Sequence, residues 1–395
     1  MKKKLYISIL LCNAIEHFDT SLYAFLAPIF ANLFFSAGDY AVQLIAAYGV
    51  IATSSLVKPI GTYFFSSVAR KNGPLFSLKI SIFGVSITTS ALFFIPTYDE
   101  IGWIATVLLI FCRMLMGFFG AGEIAISRIF LIANNPSYKM SALYEASSIV
   151  GIIAASGIAT IAFIFENSQL WRFCFVLSGI IGTVALLLRI NEKNSNEKDS
   201  VRFKTQKIKI KKLKVLKIVL NVIVNNITYG IPFVLLNTLI PMVNPEILKG
   251  EMMSLNILLL CIDLLAFFVI GNLKLKIKPK KIIFLTYRLL GVLSPLLFVL
   301  IENSTILGIT LIRALIVILG VVATVAQNLY FNQLLNEQNE KYAIIGNSIA
   351  LGDALFGKAT PAICLALFTY TGEMISIGIY ISFFCFICIY LNSLD

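Results

Sequence analysis

Asn13, Glu16, Asp19 and Tyr23 follow one another at intervals of 3, 3 and 4 residues inside an otherwise apolar stretch. That spacing sets them on one side of a helix. A carboxylate there can take up and release a proton, and its polar neighbours can hold a solute. Asn221, Asn225 and Tyr229 repeat the pattern at intervals of 4 and 4. Other apolar runs carry the acids Glu123, Glu145, Asp263 and Asp353 and the bases Lys58, Arg113, Arg128, Arg313 and Lys358. An ionisable group at the centre of a bilayer costs about 2.5–3.5 kcal/mol, so such groups face a cavity or one another. Asp19, Glu16, Glu123 and Glu145 are the candidate proton carriers. Arg113 is the candidate for gripping an anionic group, since a guanidinium pairs bidentately with a carboxylate. Lys358, Asp353, Asn13, Tyr23, Asn225 and Tyr229 are further candidate solute contacts. The competing reading is that both stripes only hydrogen-bond helices together. His17, the only histidine, is turned about 100° from the stripe and is read as packing between helices or at an interface.

No phosphate-binding loop, metal cluster or nucleophile triad stands out, so an enzyme is not expected. Cys385 and Cys388 form a C-x-x-C, but all seven cysteines lie in apolar runs and read as small apolar filler. No cofactor is expected beyond a proton as coupling ion.

The chain that must position these groups has 395 residues, 58% hydrophobic and 13% charged. Soluble domains carry about 25% charged residues, so the composition excludes a soluble globular enzyme and a disordered chain. Runs long enough to cross a bilayer are read at roughly 5–35, 41–67, 75–95, 101–130, 140–165, 170–189, 215–241, 252–272, 281–301, 304–331, 342–369 and 374–392. Net charge is +12. Of the 32 Lys and Arg, 25 fall on one set of loops and termini, and only Arg172 and Lys249 on the opposite set. This is the positive-inside bias; it places both termini in the cytoplasm and makes nucleic-acid binding unnecessary as an explanation. Glu16 and Asp19 interrupt the first run, so it reads as an uncleaved first helix of an inner-membrane protein rather than a signal peptide.

The polar segment 191–214 reads as a cytoplasmic linker between an N-terminal bundle (1–190) and a C-terminal bundle (215–395). The halves share a pattern: Arg113, Leu115 and Gly120 match Arg313, Leu315 and Gly320 as R-x-L-x4-G. The expected fold is all-α, with twelve transmembrane helices in two parallel six-helix repeats and a solute site between the halves near the bilayer midplane.

Five segments in order carry a resemblance to a family. They are Asn13 to Phe18-Asp19 with Leu22-Tyr23; Lys58-Pro59-Ile60-Gly61; Pro96-Thr97-Tyr98 with Ile101-Gly102; Arg113 with Gly117 and Gly120-Ala121-Gly122-Glu123; and Asn347-Ser348 with Gly352, Phe356-Gly357 and Thr360-Pro361. They resemble the metabolite:proton symporters of the major facilitator superfamily, carriers of proline/betaine, citrate, α-ketoglutarate and shikimate. The resemblance runs through about residue 190 and returns at 347–361. It implies proton-coupled uptake of a small zwitterion or organic acid by a monomer that exposes its site alternately to the two sides. An exporter or antiporter of the same fold, or a diverged non-transporting paralogue, are the alternatives. The departures are concentrated at the gate. In the loop at 66–75, Arg70 stands where the family has an Asp, Lys71 and Gly73 follow, and the basic pair is missing. Lys58 replaces an arginine and cannot make its fork. His17 stands at an aromatic position.

Overall fold

The computed structural model describes all residues except 1, 37, 73, 135–136, 165–169, 191–211, 274–276, 303, 336–337 and 395; the side chains of 2–5, 8, 70, 74–75, 123–134, 164, 170, 177–178, 181, 185–190 and 338–343, those of Arg70, Glu123 and Arg128 among them, also lie outside the described set. Most of the expected linker, and Gly73 of the expected gate loop, therefore fall outside the described residues. The described chain is helical throughout and contains no strand. Its long helices are α1 (Lys2–Phe34), α2 (Tyr40–Asn72), α3 (Pro74–Ala91), α4 (Trp103–Asn134), α5 (Tyr138–Ile164) and α6 (Leu170–Ile190). After the linker come α7 (Lys212–Val243), α8 (Lys249–Asn272), α9 (Pro279–Glu302), α10 (Ile306–Leu334), α11 (residues 338–371) and α12 (Ile375–Ser393). Ten of the helices are long and apolar enough to cross a membrane. α1 is not among them, because Asn13, Glu16, His17 and Asp19 interrupt its apolar run.

Local chemistry explains the irregular points. Between α3 and α4, Thr97 opens a one-turn helix, Tyr98–Ile101, and its backbone N–H is returned a bond by Glu100 Oε2 at 3.1 Å. This is a capping box. Gly102 then takes φ of +62°, a conformation that favours glycine. α7 widens into a π turn at Gly230–Leu235, where Pro232 lacks the N–H that an α-helix needs. α11 does the same at Asp353–Gly357, and the Lys358 N–H reaches back five residues to Asp353 O at 3.1 Å.

Small residues set the helix spacing. A Cβ at Gly117 of α4 would overlap Ser54 O of α2, and one at Gly151 of α5 would overlap Ala14 O of α1. These close approaches bring the polar side of α1 against α2, α4 and α5. The helices before and after the linker meet along a seam formed chiefly by α5 with α8 and by α2 and α4 with α11. Side chains bridge the seam at both ends of the bundle. At one end Tyr138 Oη donates to Ile277 O at 2.9 Å and Ser141 Oγ to Val325 O at 3.1 Å. At the other, Tyr48 Oη lies 2.8 Å from Thr238 Oγ1, and Asn256 Nδ2 donates to Ser156 Oγ at 3.2 Å.

Candidate functional site

Asp19 and Tyr23 on α1 and Arg113 on α4 are buried together. The Arg113 guanidinium lies over the Tyr23 ring, Cζ 4.4 Å from its centroid, and Nη1 points at Met116 Sδ at 3.6 Å. Its Nε has no hydrogen-bond partner, and no carboxylate among the described residues comes within ion-pair distance. Asp19 interacts with Arg113 only through space. Its Oδ2 accepts a long bond from Thr89 Oγ1 of α3 at 3.4 Å, and its Oδ1 accepts none. Tyr23 is held by its hydroxyl, which donates to Ala47 O at 3.2 Å. A buried cation and a buried acid thus stand side by side with valences open. A buried charge without partners is costly, so this arrangement favours an anionic group arriving at Arg113 and a proton exchanging at Asp19.

The equivalent arginine of the second R-x-L-x4-G is bonded differently. Arg313 donates through Nε to Pro232 O at 2.9 Å and through Nη2 to Asn237 Oδ1 at 2.7 Å and Asn256 Oδ1 at 2.9 Å. It ties α10 to the π turn of α7 and to α8. The repeat therefore holds one arginine open and one closed.

A second cluster lies about one turn along α1. Lys58 Nζ on α2 stands 3.8 Å from Glu16 Oε1 and 3.7 Å from Asp353 Oδ2 on α11. Asp353 Oδ1 accepts from Asn226 Nδ2 of α7 at 2.8 Å. His17 Nε2 is 3.7 Å from Glu16 Oε2. At 1.5 Å per residue, Glu16, Lys58 and Asp353 all lie roughly 20 Å from the helix ends at which α1 and α11 start. This cluster sits across the seam.

The remaining candidates are distributed over other contacts. The Asn13 amide is held by α5, donating to Tyr144 O at 3.1 Å, Ser147 Oγ at 2.9 Å and Ser148 Oγ at 2.7 Å. Asn225 Oδ1 accepts from Thr324 Oγ1 of α10. Tyr229 Oη donates to both oxygens of Asp263 on α8, at 2.9 and 3.3 Å. Glu145 of α5 reaches across the seam, its Oε1 accepting from Asn328 Nδ2 of α10 at 2.8 Å. Lys358 is half-buried beside the π turn of α11, and Lys71 is exposed. Arg70, Gly73 and Glu123 lie outside what is described. Asn226 and Thr89 were not singled out by the sequence. Asn226 sits one residue beyond the Asn225 stripe, and Thr89 is one of four hydroxyls within five residues (Ser86, Thr88, Thr89 and Ser90), so neither stood out by its spacing.

This arrangement, acid and guanidinium buried among membrane-length helices with a second charge cluster on the seam, is that of a polytopic helical membrane protein. The chain belongs to the Major Facilitator Superfamily, whose family model matches residues 9–357. It is similar to the proline/betaine transporter of Escherichia coli (strain K12), 33% identical over 185 residues, which are 45% of this chain and 37% of that protein. The chain thus spans little more than a third of that relative's length. A putative proline/betaine transporter of Staphylococcus aureus (strain MSSA476) is 24% identical over 399 residues, 96% of this chain and 85% of that protein. Among solved structures, the xylose transporter XylE from E. coli superposes with TM-score 0.69 at 13% identity, covering 98% of this chain and 97% of that one. The human organic anion transporter MFSD10 gives TM-score 0.70 at 12% identity, covering 99% of both chains. The two structural likenesses show the shared fold.

Proposed function

We propose that this protein takes up a small zwitterionic osmolyte, such as proline or betaine, or a small organic acid, together with a proton. The observation that carries the reading is the Asp19–Arg113 site. Among the described residues its guanidinium has no carboxylate at ion-pair distance, and one oxygen of its carboxylate has no hydrogen-bond donor. The solute's carboxylate sits at Arg113 and the proton rides on Asp19. Protonation removes a charge from the site before the two bundles, 1–190 and 215–395, rock about it. Neutralising the Asp19 carboxylate lowers the cost of reorienting a charged site. One proton moved down about 100 mV supplies about 2.3 kcal/mol, enough for roughly fifty-fold accumulation. The names of the E. coli and S. aureus relatives support an osmolyte as the solute.

In this reading the chain crosses the bacterial inner membrane twelve times as a monomer, with both termini in the cytoplasm. The lysine-rich loops support that orientation. The proton serves as coupling ion and no cofactor is required.

The test is the pH outside right-side-out, lightly buffered, deenergised vesicles carrying the protein. Proline, betaine, citrate and α-ketoglutarate are added in turn. Alkalinisation with one of them is the expected result and names the solute class. Acidification points to an antiporter, and silence from folded protein to a paralogue that does not transport.

A further inference from the structure

We propose that Phe30 of α1 and Trp171 of α6 are positioning residues for the solute site: a ladder of buried rings runs from the Phe34 end of α1 to Tyr23 and sets the orientation of the Arg113 guanidinium. The ladder deepens the uptake reading above and rests on it for its effect on transport.

A guanidinium that is to receive a solute's carboxylate must be oriented while the edge that receives it stays open. Arg313 is fixed by oxygen acceptors, Pro232 O, Asn237 Oδ1 and Asn256 Oδ1. Arg113 is met instead by the Tyr23 ring at 4.4 Å and Met116 Sδ at 3.6 Å, and its Nε has no acceptor. Its orientation therefore follows the plane of the tyrosine ring.

That ring is held at its hydroxyl by Ala47 O at 3.2 Å and at its flank by Phe30, with centroids 4.9 Å apart. Residues seven apart rise about 10 Å along a helix, so the two side chains lean toward one another past Pro28. Phe30 is in turn edge-on to Trp171 at 5.2 Å and 86°, and stacked on Phe175 at 5.9 Å and 25°. Phe34 braces both, 5.6 Å from Phe30 and 5.5 Å from Trp171. Aromatic quadrupoles attract at such separations and angles. All five rings are 2% exposed or less. At the far end Arg172 lies over Trp171, Cζ 4.7 Å from the ring, and its Nη1 donates to Phe93 O at 2.6 Å and Ile95 O at 2.9 Å. Those carbonyls belong to the segment that leads into α4, the helix that carries Arg113.

Close-packed groups transmit a displacement instead of absorbing it. Loss of a rung lets Tyr23 tilt and turns the donor edge of Arg113 away from the solute. Every rung lies within 1–190, so the ladder keeps its shape while the two bundles rock.

The first test needs no solute. The chain has tryptophan only at 103 and 171, and Trp103 is outside the ladder. In the full-length Trp103→Phe protein in lipid nanodiscs, tryptophan emission comes from Trp171 alone. Arg113→Gln reaches Trp171 only through Tyr23 and Phe30, and it should change that emission. With Phe30→Leu also present, Arg113→Gln should leave the emission unmoved. An emission that ignores Arg113→Gln, or that responds equally with Phe30→Leu present, overturns the ladder. In vesicles supplied with L-proline or betaine, Phe30→Leu and Trp171→Leu should raise KM at least about ten-fold and leave Vmax within about three-fold. Trp171→Phe keeps a ring and should recover most of the lost affinity. If Trp171→Leu does not fold, Phe30→Leu carries the KM measurement. A fall in Vmax or in folded protein at unchanged KM makes the rings ordinary packing and overturns the proposal. A wild type that moves neither solute overturns the uptake reading and leaves the emission result to decide the ladder.

Discussion

Arg113 rests on the face of Tyr23 with its Cζ 4.4 Å from the ring centroid, and the tyrosine is held in place by its bond to Ala47 O. The ring stabilises a guanidinium by cation–π attraction of about 0.5–2 kcal/mol while leaving its in-plane donors free. That is how a cation is kept ready for a carboxylate without being neutralised by one. Arg113→Lys retains the charge but loses the fork and the flat face. Initial-rate measurements should show KM for the solute raised at least ten-fold, and Arg113→Gln should abolish uptake. An unchanged KM in Arg113→Lys would place the solute elsewhere.

Arg313 should behave oppositely. Arg313→Gln strands Asn237 Oδ1, Asn256 Oδ1 and Pro232 O, three acceptors now paired. Removing one partner from a buried charged network costs about 3–5 kcal/mol. Thermal unfolding in detergent should show a large loss of Tm for Arg313→Gln and little change for Arg113→Gln. A similar fall in both would mean that the two arginines serve the same structural role.

These two residues show what a sequence can and cannot convey. R-x-L-x4-G is the same at both places, and nothing local separates them. The difference is made by Asn237 and Asn256, which arrive from α7 and α8. Helix extents were legible, since run length and the bilayer's thickness determine them: α8 was read at 252–272 and lies at Lys249–Asn272. The stripe on α1 was legible as a polar side, but not as a division of labour. Asn13 turns to α5, Glu16 to α2 and Asp19 to α3, because each residue adds about 100° of rotation and three helices crowd that side. The pairing of Lys58 with Asp353 joins residues nearly 300 positions apart, a distance over which spacing carries no information. The π turns were not read from the sequence, although Gly230 and Pro232 lie in the one on α7 and Gly357 ends the one on α11.

Asp19→Asn should separate exchange from accumulation. The amide keeps the shape and still meets Thr89 Oγ1, but it cannot carry a proton. Solute counterflow should persist within about three-fold, while accumulation driven by a pH gradient should collapse toward equilibrium. Equal loss of both would instead make Asp19 a solute contact.

Gly117 tests the scaffold behind the site. A side chain there meets Ser54 O on α2, so Gly117→Leu must part α2 from α4 one turn from Arg113. Overpacking of this kind costs about 1–3 kcal/mol. Uptake should fall at least ten-fold with folded protein still recovered from the membrane, whereas Gly157→Ala, with nothing within 4 Å, should transport normally. Normal uptake by Gly117→Leu would show that the α2–α4 spacing does not set the position of Arg113.

Tyr229 and Asp263 provide the sharpest check on how a lone acid is tolerated on the seam side of α8. Asp263 is fully buried, and Tyr229 Oη is the donor seen for both of its oxygens. Glu145 on α5 adds negative potential from across the seam. Tyr229→Phe removes the donor and should cost about 1–3 kcal/mol. Asp263→Asn removes the charge, so the loss of the tyrosine hydroxyl should then cost much less. A double-mutant cycle on thermal stability should therefore show a coupling of at least about 1 kcal/mol between the two positions. Additive effects would mean that Asp263 already carries a proton and does not depend on Tyr229 to hold a charge, which would move Asp263 from the packing of α8 to the proton path.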